Sequence, residues 1–441
     1  MRMTATREVH NPVFIVGGLF PALGVVQSLG ARGVDCWVCD PKRSIAAWSK
    51  YARYYQIPDP RKDTPGMISR LVALAQTLGN RPVIIPTNDH FAQALAHYRA
   101  KLEKVAIPCV APEAVVDLIM DKRRFWEWAS EHSLNCPSTI PAAAFTDTLK
   151  LPVVVKPVNK SSFATKAEKL AHGKKPEDLR FTLIRSAEGW DRFRQENSDV
   201  LKDLIVQEFV PGTTADMYSI GVYADAESTI KGLFVGRKIR GYPAMYGNTK
   251  AGQNDAVPDH VLSEVSKIIG LLRYTGIAEF EYRREPDTDC FQLIEINPRC
   301  WSWIGITPAT PVDIPWIAYQ DLTGCELKPV YYNREPGTVK YVYLLSDLTS
   351  VLLRYRWDHP AWVMSPRKWW RSLSARTLVV AEYNQRDWPI VVWSVFGLWA
   401  SAFKLLFRRI ARVLTVVADA IRHTSLRQRN RPEHEAPSDH G

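Results

Sequence analysis

Hydrophobic positions along this chain change period several times, and each change marks an element. Residues 12–16 form a short apolar run, Gly17-Gly18 breaks it, and apolar residues then recur at helical spacing to Leu29. A second run, residues 34–38, stops at Asp40. Apolar runs on either side of a helical period predict β-α-β, the unit of a doubly wound parallel sheet. Another run, Val83-Ile84-Ile85-Pro86, leads into Thr87-Asn88-Asp89-His90 and a helical stretch. Polar side chains therefore stand at the carboxyl end of a strand, where open α/β sheets bind ligands. Farther on, residues 152–157, 204–206, 236–243, 277–282 and 291–296 read as strands.

The last two runs flank the turn-prone Glu285-Pro286-Asp287-Thr288-Asp289 and predict a hairpin. Side chains two apart share a sheet face. A turn centred on Thr288 sets Glu281 opposite Glu295 and Glu279 opposite Asn297. Like charges directly opposite are destabilising, and burial without partners costs more. A cation resolves both problems, and oxygen-only ligands select a hard ion, Mg²⁺ with Mn²⁺ as an alternative. Spacing alone does not choose between Glu279 and Glu281 as the ligand from the first strand. Placement opposite Glu295 favours Glu281.

Two further segments place cations where partners are needed. Lys156 interrupts the run Pro152-Val153-Val154-Val155, and a lysine among valines requires an anionic partner. Gly236-Arg237-Lys238-Ile239-Arg240-Gly241 concentrates three cations beside glycines. Alternation sends Lys238 and Arg240 to one face and Arg237 to the other, and guanidinium forks suit carboxylate and phosphate oxygens.

With 441 residues and 46% hydrophobic content the chain can build two or three domains around a large core. Residues 1–10 lack the apolar stretch of a secretion signal, so the expectation is a cytoplasmic protein. Cys36-Trp37-Val38-Cys39 lies in a predicted strand that would turn its thiols to different faces, which argues against redox or zinc chemistry. Gly17-Gly18-Leu19-Phe20-Pro21-Ala22-Leu23-Gly24 is not G-x-G-x-x-G and has a proline where a helix should open, against a dinucleotide site.

The net charge of +11 is uneven. Residues 1–350 hold 42 basic and 39 acidic side chains, whereas residues 351–431 hold 15 and 4.

The order of the Lys156 strand, the segment Gln207-Glu208-Phe209-Val210-Pro211-Gly212 and the ending Glu295-Ile296-Asn297-Pro298-Arg299 resembles the ATP-grasp ligases of carboxylate-amine type. The resemblance covers roughly residues 12–330. It implies a doubly wound α/β domain over 1–120 and an ATP-grasp domain of two α+β lobes over 121–330, while the uneven charge marks off a helical, basic extension over 331–441. It also implies that Lys122, within Asp121-Lys122, and Lys156 reach ATP phosphates. Glu208, Phe209 and Val210 would line the adenine, Asp216 would meet ribose, and Glu281, Glu295 and Asn297 would hold Mg²⁺, with Glu279 as the alternative. Arg299 would meet phosphate oxygens, and Arg237 and Arg240 an acyl phosphate or the substrate carboxylate. Loop 159–166 departs from the family's glycine-rich loop, though its amides and hydroxyls could still cover phosphates. The implied reaction joins a carboxylate to an amine or thiol through an acyl phosphate, releasing ADP and phosphate. The other classes weighed are a dinucleotide-binding oxidoreductase and an ATP-binding regulator without ligase chemistry.

The carboxyl-terminal region raises a separate question. Residues 388–403 carry no charge, and Lys404, Arg408, Arg409 and Arg412 follow among aliphatic residues. Sixteen residues fall short of the about 20 that a span needs. The expectation is a helix packed on the body or lying at the inner face of an anionic membrane. Its aliphatic faces argue against nucleic acid.

Overall fold

A computed structural model of the chain describes residues 11–146, 150–159 and 181–394. Three sheets organise it. The first is parallel and ordered β3-β2-β1-β4-β5, from β1 (Val13–Val16), β2 (Cys36–Asp40), β3 (Ala52–Gln56), β4 (Val83–Pro86) and β5 (Ile107–Pro108). Its strand order reverses between β1 and β4, which opens a crevice at their carboxyl ends. Gly17 and Thr87 meet there. Gly17 has φ +107°, and a Cβ on it would lie 2.2 Å from the Thr87 hydroxyl, so only glycine fits the turn. Helix Phe20–Gly30 opens although Pro21 stands in its first turn, where an amide hydrogen is dispensable. The proline is therefore no barrier to that helix, and only the missing glycine pattern still speaks against a dinucleotide site. Both strand thiols, Cys36 and Cys39, are buried, and burial pushes their pKa values up, Cys36 to about 12.

A second, antiparallel sheet is ordered β6-β9-β7-β8, from β6 (Thr139–Pro141), β7 (Val153–Pro157), β8 (Thr182–Ile184) and β9 (Leu204–Glu208). Its apolar face packs on Trp190 and Phe193 of helix Ala187–Glu196. The third and largest sheet is ordered β14-β13-β10-β11-β12-β16-β17. Its strands are β10 (Met217–Ala224), β11 (Ile230–Tyr242), β12 (Asn248–Asn254), β13 (Gly276–Arg284), β14 (Phe291–Asn297), β16 (Val339–Val342) and β17 (Thr377–Val380), with β15 (Val330–Tyr332) beside β11. Two strands of this sheet lie beyond residue 331. The boundary expected near 330 thus runs through a hydrogen-bonded sheet, and residues 331–380 are built into the body rather than appended to it.

The third sheet is anchored by tryptophans entering where side chains are missing. Trp301 and Trp303 are fully buried. A Cβ on Gly221 would lie 2.1 Å from the Trp301 ring, and one on Gly252 would lie 2.7 Å from Trp303. These contacts hold the chain that follows β14 against the sheet and so fix the direction in which Arg299 leaves it.

Loop residues 160–166 and the region 395–414 lie outside the described residues, as does most of the uncharged run that begins at Trp388. Among the described residues no helix is long and apolar enough to cross a membrane.

Gly221→Ala is expected to lower the unfolding free energy by about 1–3 kcal/mol, the usual cost of overpacking. Urea denaturation checks this, and an unchanged midpoint would show that Trp301 can move aside.

Candidate active site

The cleft between the second and third sheets has a volume of about 620 Å³ and brings together residues distant in sequence. Lys156 on β7 and Gln207 on β9 form one side of its wall, and Lys238 on β11, Glu281 on β13 and Glu295 on β14 form the other. Lys122 and Arg299 add to the charged lining, with Arg61, Asp89, Glu208 and Arg283. Phe181 and Tyr246 stack at 4.1 Å between ring centres and also line the cleft.

The hairpin register is as the turn chemistry predicts, by a different route. Glu281 pairs with Glu295 and Glu279 with Asn297. Nearer the turn the partners are Tyr282 with Leu293 and Arg284 with Phe291, so an irregularity after Glu281 shifts the ladder. The turn is therefore not centred on Thr288. The bulge restores the pairing at the acidic rung.

Crowding of the carboxylates is met in part by two of the protein's own lysines. Lys122 Nζ donates to Glu295 at 2.8 Å, and Lys238 Nζ donates to Glu281 at 2.7 Å. Glu279 is buried and accepts from Ser219 at 2.7 Å and from the Asn297 amide at 3.0 Å. Burial, reinforced by the Glu281 charge, pushes its pKa up to about 7. Among the described residues no three His, Cys, Asp or Glu side chains stand ready as a metal cluster. Glu281 and Glu295 line the cleft, whereas Glu279 and Asn297 do not.

Arg299 is locked from the first sheet. Its Nε donates to Asp89 at 2.8 Å, and a second nitrogen donates to Asn297 Oδ1 at 3.0 Å. Burial opposes its charge, but Asp89, Glu279 and Glu295 outweigh that and hold its pKa above the ordinary value. Asp89 opens helix Asp89–His97, whose first turn is capped by Asn88. Lys122 is set by the same device, Asp121 accepting from the Arg124 amide at 3.1 Å. Lys156 donates to Gln207 at 2.7 Å.

Besides Glu279 and Asn297, three more expected site residues lie off the cleft wall. Arg240 is almost wholly buried and donates to both oxygens of Asp347, which also accepts from Trp369 at 2.8 Å. Simple alternation fails here because the β11–β12 ladder is irregular on both sides of Arg240, so Arg240 does not follow Lys238 into the cleft. Arg237 donates to Asp255 at 2.7 Å and to the Ala215 carbonyl. Asp216, expected at ribose, accepts from the Thr213 amide at 2.9 Å and completes a capping box that closes the turn. Glu208, Phe209 and Val210 do line the cleft, on the segment joining the two sheets.

Sequence reasoning missed Arg283 and passed over Lys238. Arg283 lines the cleft and donates to the Val210 carbonyl at 3.0 Å, while burial pulls its pKa down to about 10. It stands two residues beyond Glu281, a spacing that could have revealed it.

No protein-family model matches the chain. The D-aspartate ligase of Enterococcus faecium is 22% identical over 318 residues, covering 66% of this chain and 72% of that protein. Among solved structures, Staphylococcus aureus N5-carboxyaminoimidazole synthetase complexed with ADP superposes with a TM-score of 0.58 at 16% identity, over 81% of this chain and 89% of that one. The biotin carboxylase domain of Hydrogenobacter thermophilus 2-oxoglutarate carboxylase, in complex with MgADP and bicarbonate, gives 0.56 at 15% identity, over 74% and 72%.

Asp347→Asn is expected to cost about 3–5 kcal/mol of unfolding free energy, because it strands the buried Arg240 charge. Chemical denaturation measures this, and a loss below about 1 kcal/mol would mean that Arg240 is not held by this pair.

Proposed function

We propose that this chain, whose fold is that of the ATP-grasp enzymes, is an ATP-dependent carboxylate-amine ligase working through an acyl phosphate. The observation that carries this reading is the opposed Glu281 and Glu295, lining a two-sheet cleft together with Lys122, Lys156, Lys238 and Arg299. Two carboxylates on one rung form a hard-oxygen pair that fits Mg²⁺ or Mn²⁺, and the Asn297 amide oxygen, which lies off the cleft wall and accepts from Arg299 at 3.0 Å, would join them by turning from that arginine. Glu281 is the better ligand candidate than Glu279, since only Glu281 lines the cleft. Bound Mg²⁺ supplies positive charge at the phosphates of ATP.

The protein's own side chains supply the rest. Lys122 and Lys238, which balance the two glutamates, can turn to phosphate oxygens once the acids have another cation. Lys156 and Arg299 add fixed charge where negative charge is redistributed, and positioning with neutralisation is what phosphoryl transfer requires. The segment Glu208-Phe209-Val210 offers backbone groups to adenine. Phosphorylation turns the substrate carboxylate into an electrophile, and an amine then displaces phosphate. Arg237, Arg240 and Asp216 act in this reading by holding the sheet and its turn. The Enterococcus relative is named for D-aspartate, which puts amino acids first among candidate carboxylates.

ADP release measured across a panel of amino acids and amines tests the reading, with dependence on one carboxylate and one amine as the expected result. In that assay Glu281→Gln, Glu295→Gln and Asn297→Ala should each lower turnover on the order of 100-fold or more, and Glu279→Gln less. Full turnover in Glu281→Gln and Glu295→Gln would refute the metal assignment.

Mg·ATP should also stabilise the fold, by roughly 2.7 kcal/mol at 100 times its dissociation constant. A thermal scan showing no rise with Mg·ATP, and a rise with NADH instead, would favour a dinucleotide site.

A further inference from the structure

Residues 350–376 contain six Lys and Arg side chains against one acid, Asp358. Helix Tyr355–Asp358, the helical turn Ser350–Arg354 that precedes it, and helix Pro366–Ser372 are joined by Val351, Tyr355, Trp369 and Leu373, which share one buried cluster with Ala251 and Val342 of the large sheet. Away from that cluster they present large apolar side chains to solvent. Trp357 is 91% exposed, Leu353 60% and Trp370 59%. Arg356, Arg367, Lys368 and Arg371 are exposed among them. The one nearby acid is engaged, since Asp358 accepts the Ala244 amide hydrogen.

An indole exposed by nine-tenths next to arginines has no folding rationale, and exposed apolar patches of this kind mark interaction surfaces. We infer that this face docks the protein on an anionic lipid bilayer, with Trp357, Trp370 and Leu353 entering the headgroup boundary and Arg356, Arg367, Lys368 and Arg371 meeting acidic lipid heads. Charge complementarity identifies the occupant, because cationic residues around tryptophan and leucine match an acidic interface with an apolar interior. A nucleic acid would reward the charges but not immersed Leu353. This surface lies on residues packed into the sheet.

The position has a consequence for the cleft. Arg354 lies over the Tyr242 ring at 5.3 Å, and Tyr355 donates to the Gly241 carbonyl at 2.8 Å. Tyr242 and Pro243 line the candidate active site. Docking through this face brings the wall of the cleft close to the bilayer, as suits a substrate carried on the membrane.

Co-sedimentation of the full chain with phosphatidylcholine vesicles containing about 30% phosphatidylserine is the test. Binding is expected to acidic but not to pure phosphatidylcholine vesicles, and to weaken as salt rises. Arg356→Gln and Lys368→Gln should each lower the partition coefficient about fivefold. Trp357→Ser with Trp370→Ser should lower it further at constant salt, with the thermal midpoint unchanged. Undiminished vesicle binding in the tryptophan pair would overturn the proposal, leaving another segment as the anchor. So would tighter binding to a single-stranded oligonucleotide, or no vesicle binding at low salt.

Discussion

Two glutamates facing each other across one rung of a partly buried hairpin cannot both remain charged without nearby cations, and the arrangement of the cleft follows from that constraint. Glu281 and Glu295 are brought into opposition by the register of β13 and β14, which no side-chain adjustment can undo. Lys122 reaches Glu295 from the segment before the second sheet, and Lys238 reaches Glu281 from the neighbouring part of the large sheet. Each lysine is itself nearly buried, and an ammonium buried without a partner is costly. Each lysine and its acid are thus mutually dependent, and together the two pairs fix the acidic rung of the large sheet before any ligand arrives.

A second dependence runs from the first sheet to the same rung. Asp89 stands at the carboxyl end of β4 because the strand stops at Pro86 and Asn88 caps the next helix. From there it takes the Arg299 guanidinium, which also holds Asn297, which in turn donates to Glu279. Trp301 and Trp303, seated over glycines, fix the backbone just beyond. The α/β domain therefore acts on the cleft, since it orients an arginine of the charged wall.

Much of this was legible in the sequence where the physics is local. Periodicity located β1, β2, β4, β7 and the β13–β14 hairpin, because burial on one or both faces leaves its mark on every residue of a strand. The acidic rung was legible for the same reason. Contacts between distant segments were not: nothing near Lys238 announces Glu281, and nothing near Arg299 announces Asp89, 210 positions away. Alternation misled at Arg240 because an irregular ladder cancels the two-residue period without changing composition. The boundary near 330 failed because the strands beyond it are three or four residues long and join a sheet begun a hundred residues earlier. A charge bias from residue 351 onward was read as the mark of an appendage. Five of its fifteen cations, Arg354, Arg356, Arg367, Lys368 and Arg371, instead decorate the exposed face of helical segments whose inner face is core.

Charge balance across the cleft ties the resident ion pairs to the ligand. The wall carries Arg61, Lys122, Lys156, Lys238, Arg283 and Arg299 against Asp89, Glu208, Glu281 and Glu295, an excess of two positive charges. Mg·ATP at neutral pH brings two negative charges, so the filled cleft is close to neutral without any side chain changing protonation. The nucleotide or the metal alone would leave a larger imbalance in a region where burial already moves Glu279 and Arg283 away from their ordinary pKa values. The same reasoning explains why lysines, rather than arginines, stand opposite the two glutamates. A lysine makes a single point contact that can be transferred to a phosphate oxygen, whereas a forked arginine such as Arg240 on Asp347 commits two oxygens and stays where it is.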